Sequence, residues 1–175
     1  MDFGGSKKLK IRHGMYAAVI FLSAVLYHSG FIPDIGSASA MIMAPLCVSI
    51  AIHEKSIPSM AFGMLCGALW DLGVTQADGF YTVMMTAAGF ICSSLSKFIV
   101  RKNLLSCLAL TFLSVSLCSI SYWGNFYLIK GYEGAWGLLL SYYFPSVIYT
   151  LVFGAVYYYI TAYIVRNTKE KKRRI

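Results

Sequence analysis

The stretch FGMLCGALWDLG, from Phe62 to Gly73, places a carboxylate in one of the most apolar parts of the chain. Ser59, Gly63, Gly67 and Asp71 recur every four residues, and residues at that spacing share one slowly turning face of a helix. Small side chains on a membrane helix let a second backbone come close, and van der Waals contact then replaces the hydrophobic drive that lipid removes. A carboxylate exposed to lipid costs up to about 3 kcal/mol on insertion scales. The spacing therefore predicts a close-packing groove with Asp71 at its end, accepting hydrogen bonds from whatever helix fills it. That helix belongs either to the same chain or to a partner, and spacing does not separate the two.

Other candidates for chemistry are few. Cys47, Cys66, Cys92, Cys107 and Cys118 all lie in hydrophobic runs with no C-x-x-C pair, which reads as buried thiols acting as small apolar residues. His13, His28 and His53 stand at the edges of apolar segments on different sides and do not suggest a shared metal site. Gly63 and Gly67 lack the following Lys-Ser or Lys-Thr of a phosphate loop. No Ser-His-Asp set and no pair of intramembrane carboxylates occurs, so a non-enzyme without cofactor or metal is expected. Tyr157, Tyr158 and Tyr159 are consecutive and must point in three directions around a helix, as packing and interfacial anchors rather than one face.

The elements that must position these residues follow from composition. The chain of 175 residues is 58% hydrophobic and 13% charged, against roughly 25% charged in soluble domains. Six stretches approach the roughly 20 apolar residues a bilayer crossing needs, near 14–32, 37–53, 58–77, 79–97, 104–123 and 142–165. The expected fold is thus an all-α integral membrane protein of about six transmembrane helices. A tight hairpin joins the third and fourth at Ala77-Asp78-Gly79. Residues 1–13 form a basic N-terminus, 14–165 a single transmembrane domain and 166–175 a basic tail. The first apolar run reads as a retained helix, because Ala38-Ser39-Ala40 lies too far beyond it for a signal-peptide cleavage site.

Charge sets the orientation. Fourteen of the fifteen Lys and Arg fall on one side of this layout, all but Lys130. Basic residues flanking membrane segments stay in the cytoplasm, so both termini are expected there, in a multi-pass protein of the cell membrane. The net charge of +8 then needs no nucleic acid to explain it. Lys7, Lys8, Lys10 and Arg12, with Lys171, Lys172, Arg173 and Arg174, read as topology determinants that also offer a patch for anionic membrane lipid.

Phe62-Gly63-x-x-x-Gly67-x-x-x-Asp71, followed by a short outer turn and Gly79, resembles the central signature of the rod shape-determining protein MreD family. The likeness is detailed over about residues 53–97 and elsewhere extends to length, segment number and basic ends. Some members carry a basic residue just before the third helix; here His53-Glu54-Lys55 stands there, with Lys55 as the stand-in. The resemblance implies a non-catalytic membrane scaffold of the bacterial cell-elongation machinery, supporting peptidoglycan synthesis and cell shape. It implies association with the membrane-anchored coiled-coil protein MreC, the actin-like filament protein MreB and the glycosyltransferase–transpeptidase wall synthases. It also implies a fold similar to the substrate-binding subunits of energy-coupling-factor vitamin transporters, and such a subunit is the alternative reading. For a vitamin site, the long outer connection 124–141 with Asn125, Tyr132 and Trp136 would supply the pocket.

Overall fold

The computed structural model describes residues 3–31, 40–73, 79–98, 103–128, 137 and 144–168. Among them are six α-helices and no strand: α1 Phe3–His28, α2 Met43–His53, α3 Ser56–Asp71, α4 Phe80–Phe98, α5 Leu104–Trp123 and α6 Phe144–Thr168. A π-helical turn, Gly124–Leu128, continues α5. Prolines punctuate the starts. Pro45, Pro58 and Pro145 stand in the first turns of α2, α3 and α6, where a missing N–H breaks no intrahelical bond.

Three helices are long and apolar enough to cross a membrane, over Lys7–His28, Leu104–Trp123 and Pro145–Thr168. Their outward faces carry large apolar side chains such as Phe21, Leu113 and Val152. The other three are a different matter. The expected second segment, 37–53, is helical only over Met43–His53 among the described residues, and its positions 37–39 lie outside them. Eleven residues rise about 16 Å, half of a ~30 Å hydrocarbon core.

This short helix is the centre of the molecule. Met43 to Ile52 are all buried, and α2 touches every other α-helix. A helix apolar on all sides has no solvent-facing stripe and belongs in the middle. Its N-terminal approach is tied down by α6: the Met41 N–H donates to Thr150 Oγ1 at 3.0 Å, and that hydroxyl donates to the Ser146 carbonyl at 2.7 Å. Around α2, the most extensive helix pairing is α3 with α4.

Candidate functional site

The α3–α4 pair is built on backbone contact. A Cβ added at Gly67 would come within 2.5 Å of the Tyr81 carbonyl oxygen and 2.7 Å of the Thr82 nitrogen. One added at Gly63 would collide with the Met85 carbonyl oxygen. From the other side, a Cβ at Gly89 would lie 2.6 Å from the Ser59 carbonyl oxygen. Ser59, Gly63 and Gly67 of α3 thus meet Gly89, Met85 and Tyr81–Thr82 of α4 along three turns. The small-residue stripe faces inward, and the helix that fills it is the next one in the chain.

Asp71 closes the outer end of this seam. Its position differs from the expected span of 58–77: α3 ends at Asp71, with Leu72 and Gly73 in a turn, so the carboxylate is terminal rather than well inside a helix. Oδ1 accepts the Tyr81 N–H at 3.1 Å, and Oδ2 accepts the Thr82 N–H at 2.9 Å and the Thr82 hydroxyl at 2.6 Å. The first amides of a helix have no intrahelical acceptor. They are ordinarily satisfied by the N-cap side chain, but the residue before α4 is Gly79 at φ +77°, which has none. That left-handed backbone suits glycine. Asp71 supplies the missing acceptors from across the turn, at the positive end of the α4 dipole. Ala77 and Asp78 of the expected tight turn lie outside the described residues.

Phe62 begins a second buried ridge of α3, one residue ahead of each stripe position. Phe62, Cys66 and Trp70 lie beside the α4 seam in the core, where Trp70 also meets Tyr81 of α4 edge-on at 6.2 Å. Phe62 meets the rings of His13 and Tyr16 edge-on at 5.4 and 5.6 Å, and Trp70 meets Tyr27 at 4.4 Å. At the outer end the His28 ring lies over Gly73, and its Nε2–H donates to the Leu69 carbonyl at 3.1 Å. The α3 helix is therefore gripped by α4 on one face and by α1 on the other. Trp70 is buried in this packing and Trp123, at the end of α5, in the same core; Trp136 lies outside the described residues.

Sequence reasoning missed the polar node at the opposite end. Glu54, in the corner between α2 and α3, has a side chain only 3% exposed. Arg12 Nε stands 2.6 Å from Oε1 and Nη2 donates to Oε2 at 3.0 Å, while His13 Nε2 lies 3.7 Å from Oε2. Arg12, expected as a topology or lipid residue, is turned onto Glu54, because a buried carboxylate must be paired. The two are 42 positions apart in sequence, and no local pattern couples them. Lys7, Lys8, Lys10 and Lys55 are exposed; Lys171, Lys172, Arg173 and Arg174 lie outside the described residues. The same inner end joins α3 to α4 through Ser93, which donates to the Glu54 carbonyl at 2.8 Å, and Lys97, which donates to Ser56 Oγ at 2.8 Å.

The five cysteines are buried and free, as expected. Tyr157 is buried with its hydroxyl donating to Ser23 at 2.9 Å, Tyr158 packs beside His53, and Tyr159 faces outward. Among the described residues no three of His, Cys, Asp and Glu gather as metal ligands. What the seam and its cap do is mechanical: they fix the spacing and tilt of two helices. No family model, no curated protein and no solved structure matches the chain.

Proposed function

We propose that the chain is a non-catalytic scaffold subunit of the bacterial cell-elongation machinery, similar to the MreD family, resident in the cell membrane and assembling with an MreC-like coiled-coil protein. In this reading it crosses the membrane six times with both termini cytoplasmic, in a layout similar to the vitamin-binding transporter subunits. An MreB-like filament and the glycosyltransferase–transpeptidase wall synthases are further partners. One observation carries the proposal. The residues on which the resemblance rests serve a single device: Gly63 and Gly67 bring α4 onto α3, Asp71 and Gly79 start α4, and Phe62 docks α1 on the same hairpin. A signature spent on shaping a hairpin suits a protein that works by assembly. The hairpin's outer surfaces, rather than the filled stripe, are then the ones that meet partners.

The test is crosslinking in native membranes followed by purification in mild detergent and identification of partners by mass spectrometry. A coiled-coil wall protein together with wall synthases is the expected recovery, reduced by Gly67→Leu, which forces α3 and α4 apart. Recovery of transporter ATPases and their membrane adaptor would overturn the reading in favour of a vitamin-binding subunit.

A further inference from the structure

The outer face of the α3–α4 hairpin carries a groove of about 440 Å³ between the two helices. Met60 and Met64 of α3 form one wall, and Val83, Ala87 and Phe90 of α4 form the other; all five are exposed. Thr82 and Thr86, half-buried, make the floor, and they belong to the glycine seam. A Cβ added at Gly67 would strike Thr82, and one at Gly63 would lie 3.2 Å from the Thr86 Cα. Both hydroxyls already donate within the hairpin, Thr82 to Asp71 Oδ2 and Thr86 to the Thr82 carbonyl. The groove is therefore apolar along its length.

Its two walls change chemistry at one end. Ser56 stands one turn before Met60, and Ser94 and Lys97 follow Phe90 at spacings of four and three, so each row continues along its own helix face. There the rows are joined. Ser56 Oγ lies 3.4 Å from Ser94 Oγ, and the Lys97 ammonium crosses from α4 to donate to Ser56 Oγ at 2.8 Å. Arg12 has its carboxylate in Glu54, but among the described residues no carboxylate pairs with Lys97. Lys55, beside Ser56, is exposed, and the positive end of the α3 dipole adds to the same potential. From Val83 to Lys97 the α4 axis rises about 21 Å at ~1.5 Å per residue, the depth of one leaflet with its headgroups, roughly 20–22 Å.

We propose that the groove binds one anionic phospholipid, with an acyl chain between the Met60–Met64 and Val83–Phe90 walls and the phosphate held by the Lys97 ammonium and the Ser56 and Ser94 hydroxyls. An ammonium has three donors; Ser56 takes one, and the others face a phosphate oxygen. An apolar partner helix would leave this charge unmet, and at about 10–12 Å across it would lie on the groove without filling it. The proposal needs a membrane around the chain but no role in wall synthesis.

The test is native mass spectrometry of the full chain after reconstitution in equal amounts of phosphatidylglycerol and phosphatidylcholine. The expected result is one retained phosphatidylglycerol per chain, with phosphatidylcholine not retained. Lys97→Gln should weaken retention about tenfold, the equivalent of one charge-assisted hydrogen bond, and Lys97→Arg, which keeps the charge, should weaken it less. Lys10→Gln, which removes an exposed charge from α1, should leave retention unchanged. An excess of inorganic phosphate should displace no lipid, because it has no chain to lay in the groove. Lys97 is exposed, so unfolding temperatures of its variants should stay at the wild-type value and loss of the fold is read separately. Equal retention of the two lipids, no effect of Lys97→Gln, an equal effect of Lys10→Gln, displacement by phosphate, or a second protein chain retained in place of the lipid would each overturn the site.

Discussion

At Asp71 one side chain does for α4 what an N-cap residue would do, because Gly79 has the backbone freedom for the turn but no side chain to offer. Replacing it with alanine leaves two amides and a hydroxyl without their acceptor; the groups are partly buried, so the cost is at the lower end of the range for buried ones, about 1 kcal/mol. Asp71→Ala should therefore lower the unfolding temperature in detergent, and Asp71→Asn, which keeps one acceptor oxygen, should lower it less. An unchanged temperature in Asp71→Ala would remove the capping role. Glu54 makes the stronger prediction. Glu54→Gln leaves the partly exposed Arg12 beside a neutral amide, and the loss of a charge-assisted hydrogen bond costs about 1.5–3 kcal/mol. Adding Arg12→Gln should restore part of that loss, since the stranded charge goes with it; a double variant as weak as the sum of the singles would show the two side chains to be uncoupled. Asp71 was visible in the sequence as an acceptor in need of donors. Glu54 was not, because nothing local distinguishes a buried corner carboxylate from one in a solvated connection.

Between elements, the α3–α4 seam rests on the absence of three Cβ atoms. Alanine at Gly63, Gly67 or Gly89 would strike backbone on the facing helix, and backbone cannot rotate out of the way as a side-chain end can. Each substitution should cost about 1–3 kcal/mol, the usual range for overpacking. Gly14 of α1 is the control: a Cβ there meets nothing within 4 Å. Gly14→Ala should be neutral or stabilise by up to about 1 kcal/mol, the helix-propensity difference. Thermal unfolding of the four single variants decides the matter, and Gly67→Ala at or above wild-type stability would refute the seam. The i, i+4 spacing was enough to place these glycines on one face. Which helix filled the face was undecided by spacing, because small stripes serve contacts within a chain and between chains alike.

For the whole molecule, the charge distribution makes the testable statement. If the proposed layout with both termini cytoplasmic holds, reporters fused to either end should respond as cytoplasmic, and cysteine labels placed in 129–136 should be reached from outside. An external C-terminal reporter beside a cytoplasmic N-terminal one would require an odd number of crossings and overturn the six-segment layout. Composition and apolar run lengths determined by themselves the helical class and pointed to a membrane, which three of the helices are long and apolar enough to cross. They also determined that Asp71 needed donors and that Tyr157–Tyr159 could not share a face. Only the tertiary structure decided that the second apolar run includes an 11-residue helix at the bundle centre, that the stripe packs on α4, and that Arg12 reaches Glu54. The reason is physical. Helicity and burial follow from free energies summed over neighbouring residues, whereas the partner of a given face or charge is set by contacts between segments distant in sequence, and these exist only once the helices have packed.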